Sequence, residues 1–215
     1  MKQIFRLMAA IVLLLAVSAT ASADEKKAYV GFAAGLSRTN LKTADVDALL
    51  AGTGMNGITS VDDSDRGIKF YAGIAPARFL AFEAGYTDLG RFRFYSNRTT
   101  AGGGVFFGGD STASSLDFSI LGTLPIGESF ALFARPGFGA WQVKVDTNRT
   151  VPGGAIATSS DESGVSPLLG LGATYRFAPH VSMRIELERH FGVGGEKTLG
   201  KQDIDLLSIA AQFHF

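Results

Sequence analysis

Three residues near the end of the chain have the types that acid–base or acyl-transfer chemistry uses: Glu186, Glu188 and His190. Their alternate spacing puts all three on one face of a strand. A hydrolase or acyltransferase would add a serine within reach of the imidazole, with a carboxylate behind it. The carboxylates are present, but Phe191-Gly192 follows the histidine and no serine comes closely after. The group therefore reads as charged partners on an enclosed polar face, and no catalytic residue is assigned. His180 falls in a turn and His214 at a strand end, neither with acidic company, so no metal site is expected. The chain has no cysteine, which excludes disulfides and thiolate metal centres. Its glycine runs are followed by no Gly-Lys-Ser, so no phosphate cradle and no cofactor are expected. Asn97-Arg98-Thr99 and Asn148-Arg149-Thr150 match a glycosylation sequon, and their similar surroundings point instead to two alike loops.

The elements that position these residues are strands. The last one shows it best: from Leu207 the residues Leu207, Ile209, Ala211, Phe213 and Phe215 alternate with Ser208, Ala210, Gln212 and His214. Seven earlier segments repeat the pattern, over residues 27–37, 67–75, 79–88, 116–122, 130–141, 169–177 and 181–190. Pro136 lacks a ladder donor and marks an expected bulge or kink. Short turns at Pro76, Pro125 and Pro179 alternate with long polar stretches over 38–64, 90–111, 147–163 and 191–202, read as loops. Within the first, residues 43–50 have the form of a short capped helix.

The N-terminus is a separate matter. Lys2 and Arg6, the apolar run 9–17 and Ala21-Ser22-Ala23 describe a cleaved secretory signal over residues 1–23, leaving 24–215 as one mature domain. Without Lys2 and Arg6 the 20 basic residues fall by two against 20 acidic ones, a net charge of −2 that excludes a nucleic-acid partner. After Ala23 no apolar run approaches the roughly 20 residues of a membrane helix. A closed sheet is the one spanning structure this composition leaves open. The expected fold is all-β: an eight-stranded antiparallel up-and-down transmembrane barrel with short turns at one end and long loops at the other.

Which face meets lipid follows from what each carries. One parity collects large apolar and aromatic residues, with Phe79, Phe130, Tyr175, Phe177, Phe213 and Phe215 near the short turns, as in an interfacial girdle. The other is rich in glycine and holds Lys69, Arg135, Arg176 and Arg184 against Glu83, Asp117, Glu186 and Glu188. Eight strands leave room only for side chains inside, so this balanced set is expected to pair and plug the lumen. Reflection through the turns predicts Asp117 opposite Arg135 and Lys69 close to Glu83.

On Tyr29-Val30-Gly31-Phe32, Phe82-Glu83-Ala84-Gly85-Tyr86, Phe133-Ala134-Arg135-Pro136-Gly137-Phe138-Gly139, Val181-Ser182-Met183-Arg184-Ile185-Glu186 and the C-terminal aromatic strand, the chain resembles the OmpA-like family of small outer-membrane barrels. The resemblance implies residence in the outer membrane of a Gram-negative bacterium, among its lipid and lipopolysaccharide. It also implies that Leu207, Ile209, Ala211, Phe213 and Phe215 form the signal read by the barrel-assembly machinery. The chain departs from the longer members in ending at the barrel, so a peptidoglycan tether is not expected. The resulting reading is a non-enzymatic outer-membrane protein that contributes to envelope integrity or presents its loops to surface or host ligands. The alternatives are a lipid-modifying enzyme of the lipid A deacylase or acyltransferase type, whose His-x-Ser arrangement is missing at His190, and a small pore.

Overall fold

The computed structural model describes residues 27–44, 47, 56–100, 103–151 and 154–215. The signal segment lies outside these residues. The strands are β1 (Lys27–Thr39), β2 (Asn56–Asp62), β3 (Ser64–Ala77), β4 (Leu80–Thr100), β5 (Gly103–Ile126), β6 (Phe130–Val151), β7 (Gly154–Ala178), β8 (Val181–Val193) and β9 (Gln202–His214). All pairings are antiparallel. Eight of the strands close a ring, β1-β3-β4-β5-β6-β7-β8-β9, sealed where β9 returns to β1 from Tyr29↔His214 to Thr39↔Ile204. The ninth, β2, extends the wall beyond the ring by pairing with β4. Closure leaves no unpaired ladder in the ring, which backbone groups surrounded by hydrocarbon require.

The wall is inverted relative to a soluble barrel. On β8 Ser182, Arg184, Glu186, Glu188 and His190 are buried while Met183, Ile185 and Leu187 face out. Phe118 is 62% exposed and Ile209 58%, whereas Arg135 is 1% exposed. The aromatic girdle is exposed at the short-turn end at Phe79, Phe130, Tyr175, Phe177, Phe213 and Phe215. Among the described residues no helix is long and apolar enough to cross a membrane, and the crossing is made by strands.

Three expectations need correction. The stretches 90–111 and 147–163 are not loops: the β4–β5 ladder runs to Thr100↔Gly103 and the β6–β7 ladder to Val151↔Gly154. These strands have 21 to 25 residues, far beyond the roughly 9–11 that span a bilayer. The alternation on β4 is hidden in the sequence because the register shifts between Asp88 and Gly90, where Gly90 has φ +92°. Before it Glu83 and Thr87 point inward, Leu89 is the extra residue within it, and after it Phe92, Phe94 and Ser96 point inward. Pro136, second, makes no bulge: it faces outward, and β6 keeps its register with β7 from Phe130↔Tyr175 through Pro136↔Leu169 to Val151↔Gly154. Only the β5 pairs at Ile120 and Leu121 drop out beside it, as a residue without an N–H dictates. Third, the reversals lie later than the prolines assumed for them, at Arg78-Phe79 and at Gly127-Glu128-Ser129. Of the expected short helix, Thr43, Ala44 and Asp47 are helical and the other residues lie outside those described.

The enclosed space has two characters. Toward the short turns, Tyr29, Ala33, Tyr71, Ala81, Leu121, Phe133 and Ala210 pack around the charged side chains. Toward the long hairpins, Leu41, Leu89, Phe92, Phe94, Ala113, Trp141, Val143, Val145, Val193 and Ile204 form an apolar upper core.

Candidate functional site

The charged belt is built across the lumen rather than along its wall. Glu186 and Glu188 stand side by side on the inner face of β8. Lys69 reaches them from β3, with Nζ 2.5 Å from Glu188 Oε2 and 3.2 Å from Glu186 Oε2. Arg135 arrives from β6: its Nε donates to Glu186 Oε1 at 2.6 Å, a terminal nitrogen donates to Glu188 Oε2, and the other donates to Ser119 Oγ at 3.0 Å. Arg184 donates to Glu83 Oε1 at 2.5 Å and lies 3.1 Å from Glu186 Oε2. Tyr29 Oη also donates to Glu83 Oε1, at 2.7 Å. The Arg184 guanidinium is 4.1 Å above the Phe133 ring and 5.1 Å from that of Tyr71, so its faces are covered by aromatic carbon. Each carboxylate of Glu83, Glu186 and Glu188 thus meets at least one cation, the condition on which buried charge is tolerated.

Of the eight residues expected in the belt, Lys69, Glu83, Asp117, Arg135, Arg184, Glu186 and Glu188 are buried in the lumen, and Arg176 is not. The β7–β8 ladder shifts between Arg176 and Ala178 at the barrel mouth, and there the Arg176 side chain is exposed to solvent. The expected partners are corrected too. In register Asp117 faces Gly139 and Lys69 faces Thr87, because both turns are centred later than assumed. Asp117 instead accepts from Thr87 Oγ1 and Ser115 Oγ, each at 2.6 Å.

His190 has no exposed surface. Its Nε2 is 2.5 Å from Glu188 Oε1, and its Nδ1 is 4.0 Å from Asp117 Oδ1. Asp117, Glu188 and His190 together bring three ligand-type atoms within 4.8 Å of one another, the described group with a composition that fits a metal ion. Ser115, Thr87 and Tyr29 escaped sequence reasoning. The alternate spacing of Ser115 and Asp117 was the available signal, since it puts both on one strand face. His180 and His214 lie together at the short-turn end, where His180 Nδ1 is 3.0 Å from the His214 carbonyl.

Outside the wall, where the apolar band ends, a girdle of exposed ion pairs begins. It comprises Arg38–Asp63, Arg91–Asp110, Lys144–Asp146 and the two-point contact of Arg189 with Asp205. The Lys144 ammonium, bonded to Asp146, holds that carboxyl below its ordinary value.

A closed eight-strand ring with apolar residues outside and paired charge inside is a membrane barrel, and the family model for the OmpA-like transmembrane domain matches residues 23–215. The chain belongs to that family. It is an integral protein of the outer membrane. Outer membrane protein A of Salmonella typhi is 27% identical over 154 residues, 71% of this chain and 41% of that protein. Its namesake in Yersinia pseudotuberculosis serotype I is 27% identical over 161 residues, 74% of this chain and 42% of that one. The chain therefore aligns with less than half the length of these OmpA-like relatives. Among solved structures, Neisserial surface protein A superposes with a TM-score of 0.55 at 16% identity, covering 87% of this chain and 97% of that one. Ail of Yersinia pestis, solved with the heparin analogue sucrose octasulfate, gives 0.50 at 13% identity, covering 89% and 99%. Both share the barrel fold.

Proposed function

We propose that this OmpA-like barrel is a non-enzymatic, sealed envelope protein that presents its long hairpins at the cell surface. The observation that carries this reading is the filled lumen. The charged belt occupies one half and the apolar core the other, and the cavity among Leu41, Phe92, Val143, Val193 and Leu199 is about 20 Å³, room for about one water. The loop after β8 folds over this end, with Glu162 of β7 accepting from the Lys197 backbone N–H at 3.1 Å. A lumen packed this way offers a substrate no path to His190, which supports assigning no catalytic role to that residue. The exposed girdle of ion pairs sits where lipopolysaccharide headgroups would lie, and supports lipid contact there. Residues 1–23 serve as the export signal, and 24–215 as the mature barrel. The alternate outward residues Leu207, Ile209, Ala211, Phe213 and Phe215 serve as the address for the barrel-assembly machinery.

Deleting the gene tests the enzymatic and structural readings together. The expected outcome is greater envelope sensitivity to detergents and large antibiotics with unchanged acylation of lipid A and phospholipids. A changed acylation pattern, restored by the wild-type gene and not by His190→Ala, would establish an enzyme instead.

A further inference from the structure

Asp117 differs from the other lumen carboxylates in its company. Among the described residues no lysine or arginine lies within 4.0 Å of it, and the two groups that donate to it, Thr87 and Ser115, are neutral hydroxyls. Lys69, Arg135 and Arg184 all sit against Glu83, Glu186 and Glu188. A carboxylate that is 1% exposed with no full counter-charge in contact is costly in a medium of low dielectric. Facing it is an imidazole nitrogen in the same position: His190 Nδ1 is fully buried and makes no hydrogen bond.

Asp117, His190 and Ser115 converge over the backbone of a glycine. A side chain at Gly139 would place its Cβ 2.9 Å from Asp117 Oδ1 and 3.3 Å from His190 Nδ1, with Ser115 Oγ on the same spot. We propose that Asp117 and His190 form a binding site for one small divalent cation of the zinc type, beside Gly139. Zinc is bound at about 2.0–2.2 Å by imidazole nitrogen and carboxylate oxygen, which sets two tetrahedral ligands about 3.3 Å apart. Closing the present 4.0 Å takes a small rotation of either side chain. Ser115 Oγ, which donates to Asp117 Oδ1 at 2.6 Å, is the third ligand oxygen in reach. Glu188 takes the remaining role that imidazole ligands require. It accepts from Nε2, fixing the tautomer that leaves the Nδ1 lone pair for the metal. The ion joins β5 to β8 across the lumen, at the boundary between the charged belt and the apolar core.

The test uses the whole barrel, refolded into detergent with one equivalent of cobalt(II) so that the metal enters before the lumen closes. The expected result is the visible absorption of tetrahedral cobalt, bleached by zinc and absent from His190→Ala, Asp117→Asn and Gly139→Ala. Gly139→Ala keeps Asp117 and His190 and crowds out the cation by setting a Cβ against Ser115 Oγ and 2.9 Å from Asp117 Oδ1, so it reports on the site without removing a charge. Zinc should raise the temperature at which the folded gel band converts, in wild type and in a His180→Ala control but in none of the three variants. Failure of wild type to bind cobalt during refolding would overturn the proposal, as would binding retained by His190→Ala. So would a conversion temperature that responds to pH through His190 and not to zinc, because a proton would then occupy the gap.

Discussion

The two halves of the lumen follow opposite rules on the same strands. In the half wrapped by lipid, β4 turns Glu83 and Thr87 inward and Phe82 outward. Beyond the bulge at Asp88 and Gly90 it turns Phe92 and Phe94 inward and Arg91 and Arg93 outward. On β6, Arg135 is inside and Phe138 outside, and further along Val143 and Val145 are inside and Lys144 outside. A strand's buried face is set by what surrounds the barrel. Where the exterior is hydrocarbon, polar groups have no better place than the lumen, and they must satisfy one another there. Where the exterior is water, the hydrophobic effect works in its usual direction, and the hairpins form a small soluble barrel-like core. The lower half is specified by directed ion pairs and the upper half by packing, so they should fail differently.

Arg135→Ala is the largest expected perturbation. It strips Glu188 and Glu186 of a shared partner and leaves buried charge uncompensated, at a cost of about 3–5 kcal/mol. The whole barrel should convert at a lower temperature in the heat-modifiability assay. Phe94→Ala, in the apolar half, should cost about 3 kcal/mol as a core cavity. Its signature is faster amide exchange confined to the upper parts of β4, β5 and β6, with the lipid-embedded strands unchanged. Ile209→Arg and Tyr95→Arg sharpen the contrast on the outer face. The first puts a charge into hydrocarbon and should cost about 2–4 kcal/mol in denaturant titrations. The second replaces an exposed residue above the apolar band and should be close to neutral. Equal effects would erase the boundary drawn between the halves. Arg91→Ala, which removes one exposed partner of Asp110, is comparably small, at about 0–1 kcal/mol.

Much of this was legible in the sequence where the period of two is unbroken. On β8 and β9 it separates lipid-facing from lumen-facing residues one by one, and on β3 it does so except at Ala72, which is buried. It also collected Lys69, Glu83, Asp117, Arg135, Arg184, Glu186 and Glu188 as a single inward set. The partners within that set were not legible. Opposite strands meet across the lumen at heights fixed by register, and a turn centred on Glu128 rather than Ile126 moves Asp117 from Arg135 to Gly139. Arg176 keeps its register with Ser182 but lies at the mouth of the barrel, where its side chain is exposed. The upper core stayed hidden for a related reason. The shift at Gly90 inverts the parity of β4, and the small polar residues of β5 and β7 read as loop although there β5 is paired with β4 and β7 with β6 throughout. The approach of His190 to Asp117 joins β8 to β5, a juxtaposition that only closure of the ring creates.

The claim that both halves are filled is tested most directly by planar-bilayer recording of the pure, folded protein. The account predicts a silent bilayer for wild type at ordinary voltages, because a permeating ion would have to displace the paired belt and then cross the Phe92, Phe94 and Val143 layer. Stable, reproducible openings by protein shown to be fully folded on the same gel would contradict it.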